Sequence, residues 1–412
     1  MDLTAVRRRG QQLDEDDPLA DVRSRFSLPR DVIYLDGNSL GALAVEVPTV
    51  VDDVVNRQWG QDLITSWNAH DWWHAPRRVG AQLARLIGAG ADEVVVADST
   101  SVNLFKVLVA ASRLRPGRTT LVIEPGNFPA DLYIADSVAD LLGLRVVRVE
   151  PGQVGSVLDD DVAVVAFSHV DYRTGRAYDV ASVTAAVHAA GALGVWDLSH
   201  SAGALDVRLG EWDVDFAVGC GYKYLNGGPG APAYVMAARR HHETMRSPLS
   251  GWTGHARPFA MEGTYEPAPG IDAMRCGTPP MVSLLALEAA LRAFDGIPME
   301  DVRRRSLSLT ALFLSLAESA LVPLGFSVLT PVPDDERGSQ VSLAHPGAYG
   351  VVRALIARGV IGDYRAPDVV RLGFAPLYVR HVDVVDAVGQ IAAVVEAGEE
   401  RSARWGEPAV VT

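Results

Sequence analysis

From about residue 90 to residue 220, short apolar runs alternate with helix-length segments, and this alternation constrains the fold more than any other feature. EVVVAD (93–98), TTLVIE (119–124), LRVVRVE (144–150), DVAVVAFS (161–168), GVWDLS (194–199) and DFAVGC (215–220) read as strands. SVNLFKVLVAASRL (101–114), PADLYIADSVADLLG (129–143) and VASVTAAVHAAGALG (180–194) read as helices, the second opening on Pro and the third stopped by Gly. Continuous β-branched runs, rather than every-second-residue alternation, indicate strands covered on both faces. Strands separated by helices imply right-handed crossovers and a mostly parallel sheet.

After residue 300 the character changes. A long helical stretch at 301–321, strand-like segments at 340–343 and 369–373, and helices near 350–358 and 382–395 predict a smaller α+β domain. The expected division is 51–300 for the large α/β domain and 301–412 for the small one. Residues 1–50 are expected as an N-terminal arm with a helix, lying against the large domain and forming part of the small one. The acidic run 14–17 reads as a solvated part of that arm.

A chain of 412 residues can bury such a core without disulfides or metals. Its 37 Lys+Arg against 51 Asp+Glu leave a net charge of −14, which repels phosphate backbones and anionic lipids. Neither a nucleic acid nor a membrane is an expected partner. No apolar run reaches the length of a membrane span, and the basic start lacks the apolar stretch of a signal peptide. The two cysteines, Cys220 and Cys276, have no C-x-x-C spacing, so a disulfide scaffold and a zinc cage are both disfavoured. These features fit the cytoplasm.

Several short motifs have bland readings. GNSLG (37–41) matches the G-x-S-x-G elbow of serine hydrolases. An elbow serine follows several βα units, however, whereas Ser39 has at most one strand before it and Pro48 interrupts any following helix. A nucleophilic Ser39 is an outside alternative. HHE (241–243) lacks the second His of a zinc-protease motif, Asp213 and Asp215 read as turn residues, and HDWWH (70–74) reads as an aromatic packing knot. No metal is expected.

The informative residues lie at strand ends. Asp197 closes a strand, with His200 three residues on, where ligands sit in open α/β sheets. Lys223 ends the next strand unit, flanked by Tyr222 and Tyr224 and followed by Gly227, Gly228 and Gly230. A lysine among aromatics is a candidate for Schiff-base chemistry. Thr100 and Ser101 open a helix whose free N–H groups suit a phosphate. Phe128 and Asp131 follow the next strand, and an aromatic there can cover a flat ring. A phosphate cradle, a stacking aromatic, a carboxylate for a ring nitrogen and a lysine for an aldehyde are the requirements of pyridoxal 5′-phosphate.

At this point the sequence resembles the kynureninases. YLDGNSLG (34–41), STSVNL (99–104), FPADLY (128–133), FSHVDYRTG (167–175), WDLSHSAGA (196–204), DFAVGCGYKYLNGGPG (215–230), GWTGH (251–255), RCGTPP (275–280) and LGFAPLY (372–378) look like that family's blocks, in its order. The resemblance implies a fold-type I, aminotransferase-like homodimer with a mostly parallel seven-stranded sheet and shared active sites. It implies hydrolysis of the Cβ–Cγ bond of L-kynurenine to anthranilate and L-alanine, in tryptophan catabolism and NAD biosynthesis. By the same resemblance, Lys223 carries the cofactor, Asp197 pairs with its ring nitrogen, and Phe128 stacks on the ring. Thr100, Ser101, Tyr222, Trp252 and Thr278 would surround the phosphate, the last two reaching it from the partner subunit. Asp131, Ser168 and His200 complete the cofactor shell. Tyr222 is the candidate for proton transfer. Asn38 and Ser39 would lie near the substrate, and Arg371 would clamp its carboxylate.

Thr278 stands where some relatives carry Asn, and residues 60–76 depart from the family pattern where the aryl pocket is expected. Kynurenine, 3-hydroxykynurenine and other ring-substituted analogues therefore all stay open as substrates. A cysteine desulfurase or selenocysteine lyase would share fold and lysine. It would place a His over the ring and a Cys on a mobile loop, where this chain has Phe128 and two cysteines in strand-end or turn contexts.

Overall fold

The computed structural model describes residues 3–406. Its centre is a seven-stranded sheet of β1 (Val94–Val96), β2 (Thr120–Ile123), β3 (Arg145–Arg148), β4 (Val162–Ser168), β5 (Leu193–Asp197), β6 (Phe216–Gly219) and β7 (Tyr234–Ala237). The order across the sheet is β1-β7-β6-β5-β4-β2-β3. β7 runs antiparallel to β1 and β6, and the other neighbours are parallel. The sheet is thus mostly parallel, as the alternation predicts. β7 is the strand that sequence reading did not find, because YVMA is short and follows a Gly/Pro-rich loop.

Apart from the register shift at Ala163, alternate residues of the strands enter cores on opposite faces. Val95, Leu121, Ile123, Val164, Val195 and Val218 pack on one face with α1 (Thr100–Arg113) and α2 (Pro129–Leu142). Val94, Val96, Val122, Val165, Phe167, Trp196 and Met236 pack on the other with α3 (Val180–Ala189) and the helix Ala75–Leu86. Coverage on both faces is why these strands read as unbroken apolar runs. Local chemistry sets the helix ends. Ser99 caps α1 by accepting from Val102 N, Asp179 caps α3 by accepting from Ser182 N, and Gly143, at φ 68°, ends α2 in the left-handed region.

A second sheet lies in the C-terminal part, with strands β8 (Ser327–Val328), β9 (Gln340–Ala344), β10 (Asp363–Arg365) and β11 (Val369–Gly373) in the antiparallel order β8-β9-β11-β10. It is accompanied by α4 (Met299–Ala320), α5 (Ala348–Ala357) and α6 (His381–Glu396). The N-terminal segment joins these elements. Its helix Leu3–Glu15 packs on α6, and Ile33–Tyr34 pairs in parallel with Val360–Ile361.

Two local expectations need correction. The 14–17 run is only half solvated: Glu15 and Asp16 are exposed, whereas Asp14 and Asp17 are tied to the fold. Asp14 caps α6, accepting from the backbone N–H groups of His381 at 2.6 Å and Val382 at 3.0 Å, and Asp17 pairs with buried Arg305 at 2.8 Å. Asp215 is not a turn residue either. It is buried at the amino end of β6, where it accepts from His188, Gly194 N, Arg240 and His241. Asp213 does sit in a turn, at φ 52°. In both corrections the partners come from residues far along the chain. The aromatic knot forms as expected, with Trp67 against Trp72 and Trp73.

Candidate active site

Chain order reverses between β2 and β4, which opens a crevice at the carboxyl ends of the parallel strands. There, a cavity of about 210 Å³ is lined by Asn38, Ser39, Thr100, Ser101, Phe128, Asp131, Ser168, Asp197, His200, Tyr222, Lys223 and Arg371. Of the expected site residues, only Trp252 and Thr278 do not line it. Both are exposed on the segment after β7, where Trp252 packs on Trp73 and Phe259. Tyr172, Ser199 and Arg365 also line the cavity and were not anticipated.

The sheet register sets Ser168 beside Asp197. Asp131, from the first turn of α2, is buried next to Asp197, and burial together with that neighbouring charge pushes its carboxyl well above the usual range. Lys223 lies in the loop after β6, its Nζ 3.0 Å from His200 Nε2. Burial, with Lys223 and Arg371 nearby, pulls the His200 imidazole well below its ordinary value, so the ring is neutral. Burial also raises the Tyr222 phenol, which keeps its proton at neutral pH. Beneath the crevice, buried Glu124 accepts from Ser168 N at 2.9 Å, and burial pushes its carboxyl up to about 8.

The GNSLG segment is not a nucleophile elbow. It is a turn seated on the lysine loop. Gly41 N donates to Tyr222 O at 2.8 Å, and a Cβ at Gly41 would lie 2.3 Å from Lys223 O, so only glycine permits this approach. Ser39 Oγ donates to Asp363 Oδ2 at 2.7 Å and accepts from Arg371 Nη2 at 2.8 Å. Its hydroxyl is held by a carboxylate and a guanidinium instead of the base that a serine nucleophile requires.

Arg371 is buried. Its Nε and Nη2 grip Asp363, its register partner on β10, and Nη1 donates to Tyr172 O at 2.8 Å. Burial pushes the Asp363 carboxyl up, but Arg371, Arg365 and Ser39 outweigh it and hold the group below the usual range. Arg365 and Arg371 both pair with Asp363, while burial and the Asp363 charge push the nearby Asp36 carboxyl up to about 7, so the two guanidinium groups are not fully neutralised and suit a carboxylate ligand.

At the other end, Thr100 and Ser101 stand in the first turn of the 14-residue helix α1, where unpaired N–H groups and the helix dipole favour an anion. Phe128 is 44% exposed and meets Tyr172 edge-on at 5.2 Å. An anion seat, an aromatic wall, two adjacent carboxylates awaiting a cationic N–H and an amine fit pyridoxal 5′-phosphate. The mobile-loop thiol of a desulfurase has no counterpart in Cys220, which is buried, with its thiol pushed up by that burial.

Sequence reading missed Arg365 and Asp363 because the contacts arise from β10–β11 pairing, which local pattern does not reveal. Tyr172 lay within a block already noted, FSHVDYRTG, and was the recoverable one.

Comparison with known proteins gives concordant results. The kynureninase C-terminal domain model matches residues 302–391. A kynureninase from Deinococcus radiodurans is 51% identical over 390 residues, covering 93% of this chain and 95% of that protein. One from Burkholderia mallei is 47% identical over 415 residues, covering 99% and 100%. Among solved structures, a cysteine desulfurase from Thermococcus onnurineus superposes with a TM-score of 0.77 at 20% identity, covering 92% of this chain and 98% of that one. The Escherichia coli cysteine desulfurase CsdA gives the same values. At that identity the likeness speaks for the fold alone, which is fold type I of the pyridoxal-phosphate enzymes.

Proposed function

This chain belongs to the kynureninase family, and on that footing we propose that it uses pyridoxal 5′-phosphate to hydrolyse the Cβ–Cγ bond of L-kynurenine to anthranilate and L-alanine. The observation that carries the reading is the meeting of Lys223, Asp197 and Tyr222 in one cavity at the carboxyl end of the sheet. When bound, the cofactor supplies an aldehyde for the substrate amine and a conjugated ring that accepts the electron pair released at Cα.

The chain's residues divide the remaining work. Lys223 would hold the cofactor through Nζ, and the same amine, when free, would take the Cα proton of the substrate. Asp197 would pair with the ring nitrogen, and Phe128 would cover the ring. Thr100 and Ser101 seat the phosphate, while Asp131, Ser168 and His200 complete the surrounding shell. Arg371 recognises the substrate carboxylate. Its Nε and Nη2 are committed to Asp363 and Ser39, which fixes the plane of the guanidinium and leaves Nη1 the more available edge. Asn38 and Ser39 border that seat. Water adds to the γ-carbonyl, the aryl acid leaves as its carboxylate, and the Tyr222 hydroxyl, protonated at neutral pH, would give its proton to Cβ of the alanine fragment.

The proposal extends to a homodimer in which the exposed Trp252 and Thr278 of one subunit complete the phosphate site of the other. Neither residue lines its own chain's cavity, and both are themselves exposed. We place the enzyme in the cytoplasm, in tryptophan catabolism and NAD biosynthesis, with kynurenine or 3-hydroxykynurenine as substrate. Among the described residues, no helix is long and apolar enough to cross a membrane.

The test is release of fluorescent anthranilate, compared across kynurenine, 3-hydroxykynurenine and other ring-substituted analogues, with sulfide release from cysteine measured in parallel. Aryl-acid release from at least one of the kynurenines is expected. Sulfide without any aryl acid would transfer the chain to the desulfurase reading.

A further inference from the structure

His200 stands between two side chains. Its Nε2 is 3.0 Å from Lys223 Nζ, and its Nδ1 is 3.0 Å from Gln340 Oε1. His200 is 7% exposed and Gln340 1%. Gln340 opens β9, so it reaches the lysine from the C-terminal sheet.

The partners fix where the protons are. Gln340 Nε2 lies 2.8 Å from the carbonyl oxygen of Tyr172 and 3.4 Å from that of Asp171. Carbonyls only accept, so this end of the amide must be the NH2 group. Asn38 Nδ2, 3.4 Å from Oε1, places a donor at the opposite end. Oε1 is therefore an acceptor facing His200, and Nδ1 must carry the ring hydrogen. In a neutral imidazole the other nitrogen then presents a lone pair, here toward Lys223. The charges around the ring oppose a second proton. Lys223 comes from the lysine loop, Arg371 from β11 and Arg365 from β10, and Asp363 is already engaged by both arginines.

We infer that Gln340 is a positioning residue: it holds His200 in the Nδ1–H form, so that His200 Nε2 accepts a hydrogen bond from Lys223 Nζ and aims that amine into the cavity. The inference rests on the proposed reaction only for the use to which Lys223 is put. It joins the two sheets of the molecule through one hydrogen-bonded line, Gln340–His200–Lys223. Disturbing Gln340 should then change how the amine is presented without removing any group that touches substrate or cofactor.

Two substitutions test it in the full-length chain. Gln340→Met keeps the length and removes the acceptor, while Tyr172 O retains Arg371 Nη1 as donor. Gln340→Glu keeps an acceptor and adds charge. With the cofactor stripped, nitrogen-15 spectra of the parent should show His200 protonated at Nδ1 and bare at Nε2. The Met variant should show mixed tautomers, and the Glu variant should keep Nδ1–H and titrate at higher pH. In the reloaded enzyme, Gln340→Met should lower kcat about tenfold, the rate equivalent of one neutral hydrogen bond, with KM little changed. Gln340→Glu should move the acid limb of the kcat profile up by about one pH unit, as a carboxylate beside the ring favours its charged form.

A parent ring protonated at Nε2 would overturn the inference. So would a Glu variant whose signals and acid limb match the parent. Should the Met variant not fold, the parent and Glu spectra decide the matter. If the parent releases no aryl acid from any kynurenine, the functional reading fails, and the spectra of the stripped chain still settle the tautomer.

Discussion

At the amino end of β6, buried Asp215 accepts hydrogen bonds from His188, Gly194 N, Arg240 and His241. At the carboxyl ends of β2 to β5, Glu124, Asp131 and Asp197 crowd around far fewer donors. Burial pushes the carboxyls of Asp215, Asp131 and Glu124 up. At Asp215 the donors outweigh it and pull the carboxyl far below its usual range, whereas Asp131 and Glu124 stay raised. One sheet thus has an end whose charges are settled by the protein itself and an end whose charges wait for a ligand. On the proposed function the first serves stability and the second serves chemistry, and substitutions should separate them.

The largest effect belongs to Lys223→Ala. Turnover should fall by at least about 10³-fold, since the residue is asked to anchor the cofactor and to carry a proton. The aldehyde-linked absorbance of the holoenzyme should vanish while the urea midpoint moves little. Retained absorbance at the parent wavelength would break the assignment.

A matched pair then applies the same chemical change to the two ends of the sheet. Asp197→Asn should cost about 10²–10³-fold in turnover, the usual scale for losing a preorganised charge at a reacting centre. Its stability should equal or exceed the parent's, because Asp131 loses a repelling neighbour. Asp215→Asn should do the reverse. Loss of charge-assisted bonds should cost about 1.5–3 kcal/mol, toward the lower figure because Arg240 is 40% exposed and can turn to water. Turnover per folded molecule should be unchanged. Urea unfolding and steady-state kinetics on both variants check the pair, and like effects at the two ends would dissolve the contrast.

How much of this was legible in the sequence follows the same division. The parallel strands and their helices were readable because continuous apolar runs and helix openings such as Pro129 are local signals. The strand-end residues Asp197 and Lys223 were readable because their position in a βα unit already fixes which end of the sheet they occupy. Asp215 was misjudged, since its four donors come from α3, β5 and the segment after β7. Asp14 and Asp17 were misjudged for the same reason, their partners lying on α6 and α4. Gln340 and Asp363 could not be found at all. Their role depends on how the C-terminal sheet is set against the lysine loop, which no periodicity encodes.

The smallest effect, and the one that probes the contrast most directly, is the dependence of stability on pH. Asp215 has a folded-state pKa below its unfolded value of about 3.9, so its contribution is complete above that value and is lost as pH falls below it. Glu124 has the opposite sign. Its carboxyl is raised to about 8, so between roughly pH 4.5 and 8 the folded chain holds a proton that the unfolded chain has released. Stability must therefore decline across that window, by at most about 1.4 kcal/mol per pH unit for a single group. Urea midpoints measured from pH 3 to pH 9 should fall more gently with rising pH in Glu124→Gln than in the parent, over that window alone. Asp215→Asn should instead remove part of the acid-side loss. Parallel curves for Glu124→Gln and the parent would mean that the carboxyl is ionised in the folded protein, and that the ligand end of the sheet holds its charges as firmly as the other.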